Sequence, residues 1–259
     1  MTTEREEGGT ATANPVCYVY GVIPADAELP EALEGTGGGE VFLVEVGDVA
    51  AVVSEFLPSG PLGSRDDLLA HEGVVAAVAE HTTVLPLRFG AVVTTADAVA
   101  EEMLNPHHDW FVSVLEDLKG RHEFVVIGTY VEETVLREVL EEQPEVRRLQ
   151  QTTRDMPEDA AYYDRIRLGE LIVQALEQKR QADTDALTET LSPHALAVSP
   201  REPKDEETAA DVAFLVDDDG RARFEQEVDE LGERWDGRIR LRLLGPLAPY
   251  DFVPQPQEA

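Results

Sequence analysis

His71 and Glu72 open the segment HEGVVAAVAEHTTVLPLRFGAVV (residues 71–93) as the first half of a zinc helix would, with a histidine ligand followed by a water-activating glutamate. The second ligand of that motif belongs at position 75, which is Val75. His81 stands a further stretch along, roughly 15 Å away if the segment is helical, too far to share an ion. His107-His108 adjoins Pro106 and reads as a polar turn, while His122 and His194 stand alone in sequence. Asp217-Asp218-Asp219-Gly220 has the start of a calcium loop, but the glycine comes too early and the next ligand position is Arg221. An Asp-capped turn from strand to helix is the plainer account. Cys17 lies inside an apolar strand and reads as a small buried hydrophobe, and there is no Gly-x-Ser-x-Gly elbow. The glycine run at positions 35–39 is followed by Glu40-Val41 where a phosphate loop needs Gly-Lys-Ser/Thr, so it reads as a flexible loop. These exclusions predict no catalytic residue, no metal and no cofactor.

Two features outside catalysis stand out. Arg88 sits among apolar residues, where a guanidinium is costly unless a carboxylate or backbone carbonyls pair with it. Arg238, Arg240 and Arg242 alternate with Ile239, Leu241 and Leu243, which predicts a strand with a cationic outer face. Cross-strand pairing with carboxylates accounts for that stripe most simply; a docking surface for an acidic segment is the functional alternative. The C-terminal stretch with Pro246, Pro249, Tyr250 and Phe252 is expected to be extended, either packed on its own protein or offered to a partner.

Composition narrows the function classes. The 259 residues suffice for two modest domains and carry 53 acidic against 21 basic side chains, a formal charge of −32. Such a field opposes binding to nucleic acid phosphates and to anionic membranes, and it keeps copies apart. A single cysteine fits a reducing compartment, and neither a leader peptide nor a spanning apolar run is visible. The expectation is a soluble cytoplasmic protein.

The elements that must position these residues are legible in outline. Residues 1–14 are expected to be a disordered acidic tail. An N-terminal α+β domain, residues 15–119, begins with the strand VCYVYGV (16–22) and continues with strands at 41–46 and 49–53 around Gly47-Asp48, a hairpin signal. After the turn at residues 58–64, Ser64 caps a helix whose apolar positions include Leu68, Val75 and Val78. Leu85-Pro86 begins a strand that belongs at a sheet edge because proline cannot donate to a ladder. Trp110, Phe111, Val114, Leu115 and Leu118 share one helical face. A second domain, residues 120–244, reads strand–helix–strand–strand–helix–strand, a ferredoxin-like order with an elongated first crossover. Residues 245–259 form the extended Pro-rich tail.

Four stretches resemble the gas vesicle GvpF/GvpL family. The opening Tyr18-Val19-Tyr20-Gly21-Val22 is similar to its first strand, and HExVVxAVxEHxTVLPLRFGxVV to its central signature, with Leu85, Pro86, Arg88, Phe89 and Gly90 the most specific part. Residues 120–130 resemble the strand opening its second half, with Phe124 where a tryptophan is expected. The ending GPLAPYDF is similar to Gly-Pro-Trp-Pro-Pro-Tyr-x-Phe, from which Leu247 and Ala248 depart. The resemblance implies a non-enzymatic accessory or minor structural protein of gas vesicles. Its implied partners are the hydrophobic wall protein GvpA and other accessory gas vesicle proteins. The competing expectation is a small-ligand sensor or enzyme, favoured by a pocket enclosing Arg88 and a histidine.

Overall fold

A computed structural model describes residues 15–57, 62–154 and 156–254. The expected N-terminal tail, most of the turn before Ser64 and the last five residues lie outside them. The chain forms two compact units, one comprising Met1–Lys119 with Ala248–Ala259, the other Gly120–Leu247. No helix among the described residues is long and apolar enough to cross a membrane.

In the first unit, β1 (Val16–Pro24), β2 (Val41–Val46) and β3 (Val49–Phe56) precede α1 (Arg65–Ala79). Short β4 (Leu85–Pro86), β5 (Val92–Val93) and α2 (Ala96–Ala98) follow. A π-helical turn at Val99–Leu104 and a 3-10 turn at Asn105–His107 then lead into α3 (His108–Leu118). The sheet order is β2-β3-β1-β4, with antiparallel neighbours and β5 also on β1. Pro86 is therefore on an edge strand, as its missing N–H requires. Period-two alternation along β1 divides the core: Tyr18 and Tyr20 face α1, Cys17 and Val19 face α3. Ser64 and Asp67 form a reciprocal capping box at the start of α1. The buried face of α1 is His71, Val74, Val75 and Val78, whereas Leu68 is exposed. The expected apolar stripe is thus rotated, with a histidine inside it.

In the second unit, β6 (Arg121–Tyr130) is followed by α4 (Glu132–Glu142), α5 (Pro144–Arg154) and the 34-residue α6 (Glu158–Leu191). Then come β7 (Ala197–Pro200), β8 (Thr208–Asp217), α7 (Arg221–Arg234) and β9 (Ile239–Leu247). The sheet order is β7-β8-β6-β9, all neighbours antiparallel. One face carries Phe124, Val126, Val212, Phe214 and Val216, packed with Leu187, Leu191, Phe224, Val228 and Leu231 from α6 and α7. β9 runs three residues past the Leu244 at which the alternating pattern ends.

Candidate functional site

The sequence motifs of the first unit converge on His71, which is 1 % exposed on the sheet-facing side of α1. The Gly90 N–H donates to the Tyr18 hydroxyl (3.0 Å), and Tyr18 lies 3.0 Å from His71 Nδ1. Tyr18 thus bridges the Gly90 amide and the imidazole, and on the other side of the ring Nε2 lies 3.1 Å from the Tyr250 hydroxyl. Tyr20 stacks on the imidazole at 5.7 Å, and Phe89 meets it edge-on at 5.7 Å. Tyr20 itself is held by the Ser54 hydroxyl (2.8 Å) and the Thr36 N–H (2.7 Å). The glycine run thus packs down on Tyr20 and is not a free loop.

Local backbone geometry makes this convergence possible. A Cβ at Gly21 would come within 2.8 Å of the Leu85 carbonyl oxygen, so only glycine admits β4 alongside β1. Gly90 has φ of 92°, and this left-handed turn aims its N–H at Tyr18. Burial pushes the His71 pKa below its ordinary range, opposed in part by a backbone hydrogen bond at Leu87. A neutral imidazole with both nitrogens occupied has no lone pair left for a metal and no access to a substrate. His71 is a structural lock.

The other candidate ligands are dispersed. Cys17 is buried, and desolvation, then Glu55, pushes its thiol up to about 11. His108 Nε2 accepts the Asp48 N–H at the β2–β3 hairpin (3.3 Å), His122 lies 2.9 Å from Asp218, and Asp217 accepts the Gly220 N–H (2.7 Å) in the turn before α7, whose own N-cap, Gly220, has no side-chain cap. Among the described residues no three His, Cys, Asp or Glu side chains stand together as a metal site.

The C-terminal segment, residues 248–254, belongs to this first unit. Ala248 and Tyr250 pack on the α1 side of the sheet and Val253 on the α3 side, so the segment straps across the β4 edge. Pro249 is buried, Phe252 half-buried, and Tyr250–Phe252 forms one 3-10 turn instead of fully extended chain. Pro246, in β9, is exposed. Between strap, β4 segment and α3 lies a groove of about 340 Å³, lined by Leu87, Arg88, Met103, His107, Trp110 and Val253 among others. Arg88 corrects the sequence expectation. It is exposed and makes no ion pair with a described residue, while Leu87 and Phe89 on either side of it pack against the core.

The arginine stripe is also divided. Arg240 and Arg242 are exposed on β9, as alternation requires. Arg238 precedes the strand and turns to Glu138 (2.8 Å) and bidentately to Asp183 (2.8 and 3.0 Å). Lys179 bonds Glu138 at 2.9 Å, and Tyr130 donates to Asp183 at 2.7 Å. Burial alone would lower Arg238, but its bonds to Asp183 and Glu138 raise it; burial would raise Glu138, but Arg238 and Lys179 hold it down. These charges satisfy one another.

The family model for "Gas vesicle synthesis protein GvpL/GvpF" matches residues 16–254. Gas vesicle protein F of a Streptomyces species is 32 % identical, covering 91 % of this chain and 98 % of that one. Gas vesicle protein L of the same species is also 32 % identical, covering 91 % and 92 %. The crystal structure of GvpF from Anabaena sp. PCC7120 superposes with a TM-score of 0.75 at 25 % identity, covering 95 % of this chain and 99 % of that one. GvpF from Microcystis aeruginosa gives 0.72 at 24 % identity, covering 93 % and 99 %, a likeness of fold. By the match to the family model over nearly the whole described chain, this protein belongs to the gas vesicle GvpF/GvpL family.

Proposed function

We propose that this chain is a non-enzymatic accessory or minor structural protein of gas vesicle assembly. In this reading it acts in the cytoplasm and at the vesicle, and binds the hydrophobic wall protein GvpA and other accessory gas vesicle proteins. Its two units serve as its two domains. The second is a ferredoxin-like module with an extended helical crossover, a reading supported by its βαββαβ order and the β7-β8-β6-β9 sheet. The observation that carries the functional reading is the groove at the family signature: an apolar recess in a protein of charge −32. An apolar wall subunit needs cover before it joins a shell, and the acidic remainder keeps the complex dispersed. The saturated His71 supports the absence of catalysis there.

A small-ligand sensor is the second reading, favoured by one observation: the groove includes Arg88 and His107 and has room for a small molecule. Light scattering from purified wall protein, with and without this chain, separates the two. The assembly reading expects delayed aggregation and co-elution at near-equimolar ratios. No association and no delay would sink it.

A further inference from the structure

We propose that the groove beside Arg88 is a docking site for a short polypeptide segment that presents apolar side chains next to a carboxylate. The inference rests on the assembly reading only in taking the occupant to be polypeptide. The apolar half of the recognition comes from three separate elements: Leu85 and Leu87 beside β1, Met103 and Trp110 from the helical run, and Val253 from the strap. At about 340 Å³ the recess lies near the lower end of ligand-pocket volumes, roughly 300–1,000 Å³. It takes a few side chains and not a folded element.

The charged half comes from Arg88. Several arginines of this acidic chain are engaged, Arg238 with Glu138 and Asp183, Arg180 with Glu177, Arg221 with Glu225 and Arg137 with Glu133; what sets Arg88 apart is its place on the lining of an apolar groove. Arg88 has 53 acidic residues to choose from and pairs with no described one. A guanidinium at an apolar rim offers a carboxylate two parallel hydrogen bonds, strengthened by the low-polarity wall beside it. The surrounding negative field rejects densely anionic ligands, so a single carboxylate within an apolar context is what this rim selects. His107, on the same lining, supplies a further hydrogen-bonding group.

The test is selection of a displayed random 12-residue peptide library on the intact protein, with binding then measured for Arg88→Glu and Trp110→Ala. Both side chains lie on the groove, and Arg88 is exposed, so Arg88→Glu is a surface change that folds. Enriched peptides are expected to pair apolar residues with Asp or Glu. They should lose roughly tenfold or more in affinity on Arg88→Glu, the scale of one lost charge-assisted hydrogen bond. Selection on Arg88→Glu should switch to apolar peptides carrying Lys or Arg. No enrichment, or peptides that bind Arg88→Glu and Trp110→Ala as tightly as the native protein, would overturn the proposal. Binding of N-acetylleucine as tight as that of the peptides would overturn polypeptide occupancy in favour of a small acid. Wall-protein association that survives Arg88→Glu, with no peptide selected, defeats the groove and leaves the assembly reading standing. Peptide selection without wall-protein association supports the groove and defeats that reading.

Discussion

His71 in the first unit and Arg238 in the second do the same structural work by opposite means. Each ties together residues remote in sequence: His71 joins Tyr18 to Tyr250, and Arg238 joins Glu138 to Asp183. His71 is sealed from water, so its network is neutral, built from phenols, an amide and ring contacts. Arg238 keeps 27 % of its side-chain surface exposed, and its network is ionic. Retained solvation is what makes the charges tolerable, because a fully buried ion loses more hydration than one partner restores. The two centres should therefore fail under different conditions.

The largest effect is expected from Arg238→Ala. It strands Asp183 and part of the Glu138–Lys179 arrangement, at about 2–3 kcal/mol, somewhat below the cost of breaking a fully buried pair. Chemical denaturation followed through Trp235, in the second unit's core, checks this. His71→Leu comes next, at about 2 kcal/mol, because it leaves the hydroxyls of Tyr18 and Tyr250 without their shared partner. Trp110 fluorescence reports that change in the first unit. Tyr250→Phe removes the hydrogen bond to His71 while keeping the ring, so about 1 kcal/mol is expected.

Acid sharpens the contrast. His71 has its folded pKa below the ordinary 6.5, so between the two values the unfolded chain binds the proton first. Stability of the first unit therefore falls as pH drops below about 6.5, by at most about 1.4 kcal/mol per pH unit. Glu138 has its folded pKa below the ordinary 4.5, so its stabilisation is complete above that value and is lost only at lower pH. Single-tryptophan variants keeping Trp110 or Trp235 should show the first unit loosening before the second on acidification. His71→Leu should flatten the dependence seen through Trp110. Simultaneous loss of both signals below pH 4.5 would break the comparison.

Much of the element order was legible in the sequence: the alternation in β9, the β-branched and aromatic run of β1, the helical spacing of α3, and the turn chemistry of Gly47-Asp48 and Ser64. The site was not, for reasons visible in particular residues. A search for ligand spacing discards His71 because Val75 stands where a second ligand belongs. Its real partners lie 53 and 179 residues away, and only folding brings them near. A polar residue on an apolar helix face also disguises which face is buried, so the spacing points Leu68 inward in its place. Arg238 shared the alternation of Arg240 and Arg242, but its N–H bonds the Trp235 carbonyl in a turn, where the pleat no longer dictates direction. Sequence neighbourhood misleads for Arg88 as well: apolar flanks in the chain do not mean a buried guanidinium.

The smallest expected effect on stability is that of Arg88→Ala, and it bears most directly on what the signature is for. Were Arg88 an anchor like Arg238, its loss would leave a carboxylate uncompensated and cost several kcal/mol. It is exposed and pairs with no described residue, so its removal should alter the denaturation midpoint by less than about 0.5 kcal/mol. Its neighbours in the same six-residue stretch should behave otherwise. Leu85 is buried in the core and costs about 2–4 kcal/mol when cut to alanine, while any side chain at Gly90 must adopt a strained φ of 92°. A signature in which Leu85 and Gly90 are needed for folding and Arg88 is not is the pattern the proposed docking site requires. A destabilisation by Arg88→Ala comparable to that of Arg238→Ala would return Arg88 to the interior and remove the distinction between the two arginines.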